Sequence, residues 1–173
     1  MKLKDHLQTI AKVDVDESMA SHTTFGIGGT ADFFIQTHDE KTTKSVMKIA
    51  VEEGSSVFIL GAGSNILVGD SGIRGVVLQP RIRNHEQLDI EESVISTNDG
   101  EYQITIPAST SFSRLARATA RQGWSGLEWA AGIPGTLGGA IVYNAGAYGG
   151  CIADILTSIH ILEIDGTDRE ISS

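Results

Sequence analysis

Residues 132–150 read GIPGTLGGAIVYNAGAYGG, seven glycines in nineteen positions with no charged side chain among them. Glycine at this density constrains the chain, because each one costs roughly 0.5–1 kcal/mol relative to Ala inside a regular element. Two readings compete: a flexible tether, and a wall where backbone approaches another molecule closely. Tethers mix Gly with Ser and other polar residues. Here the glycines alternate with Ile133, Leu137, Ile141, Val142, Tyr143 and Tyr148. The segment therefore predicts a buried, ligand-facing surface.

The chain around it has 173 residues, enough for one large domain or two small lobes and enough to bury about 70% of the unfolded surface. Hydrophobic content of 40% and charged content of 20% suit a globule rather than a disordered chain. A formal charge of −9 argues against nucleic acid and against anionic membranes, since phosphate is held mainly by Lys and Arg. No apolar run reaches the length of a membrane span. The N-terminal MKLKDHLQTIAKVDVDES turns acidic where a signal peptide would need its apolar region, so the expected compartment is the cytoplasm. Cys151, the single cysteine, excludes an internal disulfide and reads as a small hydrophobe, and no Cys/His spacing predicts a metal site.

The patterning predicts an α+β fold of two lobes. After an N-terminal segment (1–20), ADFFIQ (31–36) has strand composition. DEKTTKSVMKIAVEEG (39–54) predicts a helix with Asp39 as cap and Gly54 as stop. VFIL (57–60) and RGVVLQ (74–79) are apolar runs of the kind buried on both faces of a sheet. A small α/β lobe over 21–80 follows. Beyond Pro80, SVISTNDGEYQITIP predicts an antiparallel hairpin turning at Asn98, Asp99 and Gly100. TSFSRLARATARQG (110–123) predicts a helix capped by Thr110 or Ser111, with Arg114, Arg117 and Arg121 on a solvated face. The second lobe, 81–173, is thus larger and more antiparallel. It ends on DILTSIHILEIDGTDREISS, a strand, an Asp165-Gly166 turn and the start of a returning strand. That leaves a hairpin half built and predicts a parent chain continuing past Ser173.

A second glycine cluster, GAGSNILVGDSG (61–72), directly follows the apolar strand VFIL. Backbone N–H groups converge on phosphate at such turns. The dinucleotide fingerprint fails, because Ile66 stands where its third glycine belongs, and no Gly-Lys-Ser/Thr of a P-loop is present. Two readings stay open: a tight surface turn, or a nest of donors aided by Ser64 and Asn65 and suited to a pyrophosphate without metal or lysine.

Taken together, TTFGIGG (23–29), GAGSN (61–65), SGIRGVVL (71–78), SGLEWAAGIPGTLGGA (125–140) and NAGAYGG (144–150) resemble, in order and spacing, the UDP-N-acetylenolpyruvoylglucosamine reductase family. The resemblance implies an FAD-binding domain of the vanillyl-alcohol-oxidase type, with FAD held non-covalently between two lobes. Carried over by position, Gly61, Ala62, Gly63, Ser64, Asn65 and Ile66 correspond to the pyrophosphate loop. Pro134, Gly135, Thr136, Gly138, Gly139 and Ala140 correspond to a second FAD loop, and Asn144, Ala145 and Gly146 to a wall near the flavin. Thr24 and Gly28 fall in a family motif as well. In the family, NADPH reduces FAD, which reduces the enolpyruvyl group of UDP-N-acetylglucosamine enolpyruvate to give UDP-N-acetylmuramate for peptidoglycan. An arginine in Tyr-Arg-x-Ser, a serine in Gly-Ser-x-Phe-Lys-Asn-Pro and a C-terminal glutamate assist. None of these motifs occurs here, so the resemblance implies no catalytic residue within the chain and an absent substrate domain. An FAD-binding module without reductase activity of its own, or one needing a partner chain, is the alternative.

Overall fold

The computed structural model describes residues 3–82, 94–96, 100–164 and 166–172. The chain forms two units, Met1–Ile82 with Leu156–Ser173, and Arg83–Ile155. The first contains α1 (Leu3–Gln8), β1 (Asp14–Ser18), β2 (Thr30–Thr37), α2 (Glu40–Glu52), β3 (Val57–Ile59) and β4 (Ile73–Pro80). The strands form one sheet in the order β1-β2-β4-β3. β1 runs antiparallel to β2, while β2 and β3 both run parallel to β4.

Only β4 among the two apolar runs matches the expectation of burial on both faces. Val76, Val77 and Leu78 are fully buried, whereas Phe58 and Ile59 of β3 are 39% and 52% exposed. The cause is position: β3 is an edge strand with one neighbour, and an all-apolar run does not reveal that from sequence.

Alternation along β2 and β4 sorts their side chains onto the two faces of the sheet. Ile35, Val76 and Leu78 pack with Leu7, Val46 and Ala50 beneath the two helices. Phe34 and Val77 point to the other face, where they pack with Met19, Leu60 and Val68, and with the half-buried Ile66. Among the described residues no α-helix covers this second face; its apolar cover comes from Met19, which opens the 3-10 turn Met19–His22, and from residues in the loop around 60–68.

α2 begins at the expected cap. The Asp39 carboxylate accepts from the Thr42 amide at 2.7 Å and from the Thr42 hydroxyl at 2.8 Å. These bonds, the amide first, hold the Asp39 carboxyl below the usual carboxylate range.

In the second unit β5 (Val94–Ser96) pairs antiparallel with β6 (Tyr102–Ile104), as expected. The turn residues Asn98 and Asp99 lie outside the described residues. Helix α3 (Phe112–Arg121) buries Phe112, Leu115, Ala116, Ala118 and Thr119 and exposes Arg117 and Arg121, while Arg114 is half-buried. Ser111 occupies its cap position without a side-chain bond to the helix amides. The Phe112 ring meets Trp129 edge-on at 5.6 Å.

Helix α4 (Leu137–Val142) and the short pair β7 (Gly146–Ala147) and β8 (Gly150–Cys151) follow. β9 (Ser158–Leu162) and β10 (Asp168–Ser172) then form a hairpin. β9 starts later than the sequence suggested, because Ile152–Asp154 are a 3-10 turn. Asp165 lies outside the described residues. The antiparallel content after residue 80 thus occurs as separate two-stranded ribbons among the described residues. The last ribbon groups with the first unit, where the Lys44 ammonium meets Asp168 at 2.6 Å and Glu40 at 2.7 Å. The sequence reading assigns that ribbon to the second lobe. Among the described residues no helix is long and apolar enough to cross a membrane.

Replacing Asp39 by Ala is expected to lower the urea midpoint of unfolding, with Asn retaining most of the cap. Because the folded state depresses the Asp39 pKa, its contribution is fully present above the ordinary carboxylate range and is lost as pH falls through it. Urea midpoints of the parent and Asp39→Ala chains, measured at neutral and acidic pH, should therefore converge on acidification.

Candidate functional site

The loop that follows β3 has its carbonyls claimed from below. Gln79 Nε2 donates to the Gly61 carbonyl at 2.7 Å, and the Thr24 amide donates to the Gly63 carbonyl at 3.0 Å. A further backbone bond ties the same two segments, from the Gly29 amide to the Gly69 carbonyl at 3.1 Å. TTFGIGG and GAGSNILVGDSG, separate in sequence, are therefore laced into one surface over the sheet. Gly63 is required there by its neighbours: its φ is +69°, and an added Cβ would fall on the His22 carbonyl.

Three amides of the loop differ from the Gly61 and Gly63 carbonyls. Among the described residues no acceptor lies within hydrogen-bond reach of the Ala62, Gly63 or Asn65 N–H groups. A planar trans peptide sets each N–H opposite the preceding C=O, so fixing the Gly61 carbonyl turns the Ala62 amide away from Gln79. Beside them lies a cavity of about 180 Å³, lined by Ser21, His22, Thr23, Thr24, Ala62, Gln79 and Arg81. Its wall is ordered: His22 Nε2 lies 2.8 Å from the Glu17 carboxylate, and its ring stacks on Phe34 at 4.0 Å. Open amides, hydroxyls and one guanidinium are the donor set of an anion site. They fit a diphosphate better than a metal, which would need acceptors.

Of the residues singled out in sequence, Gly61, Ala62, Gly63 and Asn65 lie in this loop, and Ile66 packs against the buried cluster beneath it. Ser64 sits in the same turn. Thr24 holds the loop through its amide and lines the cavity, and a Cβ on Gly28 would meet Val68 Cβ at 2.9 Å, so Gly28 acts here through packing. Sequence reasoning missed Gln79, Arg81, Ser21 and His22. A signal existed for Gln79 and Arg81, since polar residues close a buried strand in VVLQPR.

The other predicted group belongs to the second unit. Here the backbone donors are mostly committed. Gly138 N–H donates to the Ala108 carbonyl at 2.7 Å, and Gly139 N–H to the Thr136 hydroxyl at 3.2 Å, capping α4. Ala140, Asn144 and Ala145 amides donate to Thr136, Ile141 and Ala140 carbonyls. The Asn144 side chain accepts from the Ala153 amide at 2.9 Å. Pro134 precedes the two amides with no acceptor among the described residues, those of Gly135 and Thr136. Several glycines answer an internal demand: a Cβ on Gly138 would press on Ala108, one on Gly146 on the Gly150 carbonyl, and one on Gly150 on the Trp129 ring. Tyr148 and Gly149 both have positive φ, the signature of a type I′ turn between β7 and β8, and leave the Tyr148 ring 96% exposed.

A glycine loop with open amides, laid over a small mixed sheet, suits a nucleotide-cofactor domain, and comparison with known proteins specifies it. Residues 31–172 match the FAD binding domain family, to which the chain belongs. It is 45% identical over 150 residues to UDP-N-acetylenolpyruvoylglucosamine reductase of Acaryochloris marina, covering 87% of this chain and 46% of that protein. It is also 45% identical over 160 residues to the enzyme of the same name from Halalkalibacterium halodurans, covering 92% and 50%. The chain therefore spans about half the length of the curated relatives it matches. The crystal structure of UDP-N-acetylenolpyruvylglucosamine reductase from Thermus caldophilus superposes with a TM-score of 0.70 at 27% identity, over 94% of this chain and 52% of that one. A chitooligosaccharide oxidase shares the fold, with a TM-score of 0.65 at 14% identity over 98% of this chain and 37% of that one. The expected α+β, FAD-binding fold is borne out.

Gly63→Val is expected to lower stability by more than about 1 kcal/mol, because it forces a β-branched residue into positive φ against backbone. At Gly69 an added Cβ meets nothing within 4 Å, so Gly69→Ala should stay within about 0.5 kcal/mol of the parent. Thermal melts of the two variants check the contrast, and equal melting temperatures would contradict the lacing described above.

Proposed function

We propose that this chain holds FAD non-covalently and is the flavin-binding part of an NADPH-dependent UDP-N-acetylenolpyruvoylglucosamine reductase of the cytoplasm. The observation that carries the reading is the set of Ala62, Gly63 and Asn65 amides without an acceptor among the described residues, beside a polar cavity, in a chain about 45% identical to enzymes of that name. Ala62, Gly63 and Asn65 are the proposed donors to the FAD diphosphate, with Gly61, Ser64 and Ile66 shaping the turn. Gly135 and Thr136 are the proposed donors of the second FAD loop. Pro134, Gly138, Gly139, Ala140, Asn144, Ala145 and Gly146 hold that loop's backbone in shape.

Bound FAD would supply hydride acceptance from NADPH and hydride donation to the enolpyruvyl double bond. The protein's part is different. Backbone donors at the cofactor's edge stabilise negative charge that develops on reduction, and enclosure excludes water. Substrate positioning and proton donation are assigned to the portion of the relatives' length that this chain does not match, and those two effects contribute most of the rate.

Three outcomes are expected. FAD added to the purified chain should bind, and acid precipitation should release all of it into the supernatant; yellow colour kept in the pellet would show a covalent link. Asn65→Ala keeps the backbone N–H and removes the side-chain amide that aids it, and should weaken FAD binding by roughly 1–3 kcal/mol, as for a buried partner left unsatisfied. Residues 1–173 alone should form no UDP-N-acetylmuramate from NADPH and UDP-N-acetylglucosamine enolpyruvate. The C-terminal half of a relative, fused or added, should restore product formation. Product from this chain alone would overturn the assignment of the proton donor, and failure to bind FAD would overturn the whole reading.

A further inference from the structure

β4 leaves the apolar core on Gln79, whose side chain remains 3% exposed. A primary amide at that depth must find partners for both its oxygen and its nitrogen. The nitrogen donates to the Gly61 carbonyl at 2.7 Å. The oxygen accepts twice, from Gln36 Nε2 at 2.7 Å and from Arg81 Nε at 3.2 Å. Gln36 is itself the register partner of Gln79 across β2 and β4, so the hub is braced from the sheet. One buried side chain thus links the sheet, the glycine loop and a cation.

Arg81 is fixed at both ends of its stem. Its amide donates to the Thr37 carbonyl at 2.7 Å, and its Nε is held by Gln79. The two terminal guanidinium nitrogens have no acceptor among the described residues, and the side chain lines the polar cavity beside Ala62. Arg74, by contrast, is taken up by Asp32 and the Thr30 carbonyl, and Arg169 by Glu163. The glycine loop itself carries no lysine or arginine between Gly61 and Gly72, in a chain whose net charge is −9. An anion placed there must draw its cation from another element, and Arg81 presents a free two-nitrogen fork of the kind that matches phosphate oxygens.

We propose that Arg81 is a direct ligand of the FAD diphosphate, and that Gln79 is the positioning residue that aims both the Arg81 fork and the Ala62 amide at it. This rests on the reading that the chain binds FAD, and it adds residues that neither glycine motif contains. Gln79 does not touch the ligand: it acts by holding the Gly61 carbonyl on one side of its peptide, which keeps the Ala62 N–H on the other.

The test measures dissociation constants for FAD and for riboflavin, which lacks the diphosphate, at low and moderate salt, together with melting temperatures. Arg81→Met should weaken FAD binding about tenfold or more, leave riboflavin binding and the melting temperature unchanged, and flatten the salt dependence. Gln79→Glu keeps the acceptor for Arg81 but cannot donate to Gly61 when ionised. It should also weaken FAD selectively, whereas a general loosening of the fold would weaken both ligands. Parent-like FAD affinity in Arg81→Met overturns the proposal, as does an equal loss of FAD and riboflavin affinity. Should Gln79→Glu fail to fold, Arg81→Met, altered at an exposed side chain, still decides the matter. A parent chain that binds no FAD refutes the earlier reading instead, so the two failures are distinct.

Discussion

Two backbone bonds, from the Thr24 amide to the Gly63 carbonyl and from the Gly29 amide to the Gly69 carbonyl, hold the surface on which the first unit's chemistry depends. Among the described residues no α-helix covers the apolar face of the sheet at Phe34 and Val77. A 3-10 turn and a loop cover it, through Met19, Val68 and Ile66, and a loop brings peptide groups that no sheet ladder pairs. Here the Gly61, Gly63 and Gly69 carbonyls are bonded, to Gln79, Thr24 and Gly29, while the Ala62, Gly63 and Asn65 amides have no acceptor among the described residues. Those amides are the donors proposed for the FAD diphosphate. The same packing requirement that closes the core therefore fixes the loop that carries those donors.

The second glycine segment shows the opposite economy. Its amides are committed to α4, to Ala108 and to the β7–β8 ribbon, and its glycines at 138, 146 and 150 admit neighbouring atoms that a Cβ would exclude. Dense glycine thus has two physical causes in one chain. In 61–72 Gly63 and Gly72 admit the His22 and Thr30 carbonyls while the loop also carries amides without an acceptor among the described residues; in 132–150 packing of protein on protein dominates, with the Gly135 and Thr136 amides as the exception. The opening inference of a ligand-facing wall is accordingly narrowed in structural terms to two adjacent amides and the surface around them.

Local signals in the sequence located most elements. Asp39 before an amphipathic run marked α2, and β4 was visible as VVL, because capping and periodicity act within a few residues. Edge or centre for VFIL was not legible, since it depends on which strand pairs outside it. The terminal ribbon's grouping was hidden for the same reason, resting on a contact between Lys44 and Asp168 that spans 124 positions. For the site, the glycines announced the loop. Gln79 and Arg81 did not announce themselves, because a glutamine and an arginine after a strand become informative only when register places them beneath Gly61 and beside Ala62.

The net acidity of the chain does not stand against the proposed anion site. Exposed charges farther than about 8–10 Å are largely screened at physiological salt, so the net charge of −9 weighs little on one loop. What counts is the nearest shell. Peptide N–H groups place partial positive charge there without the desolvation that a buried lysine would incur. One guanidinium at the cavity rim adds a full charge while staying hydrated along its outer edge. Holding that guanidinium by Nε, through a neutral amide and not a carboxylate, leaves its charge unneutralised for a ligand. A glutamate in place of Gln79 would satisfy the same Nε–H and cancel that charge, so the neutrality of the hub matters as much as its geometry.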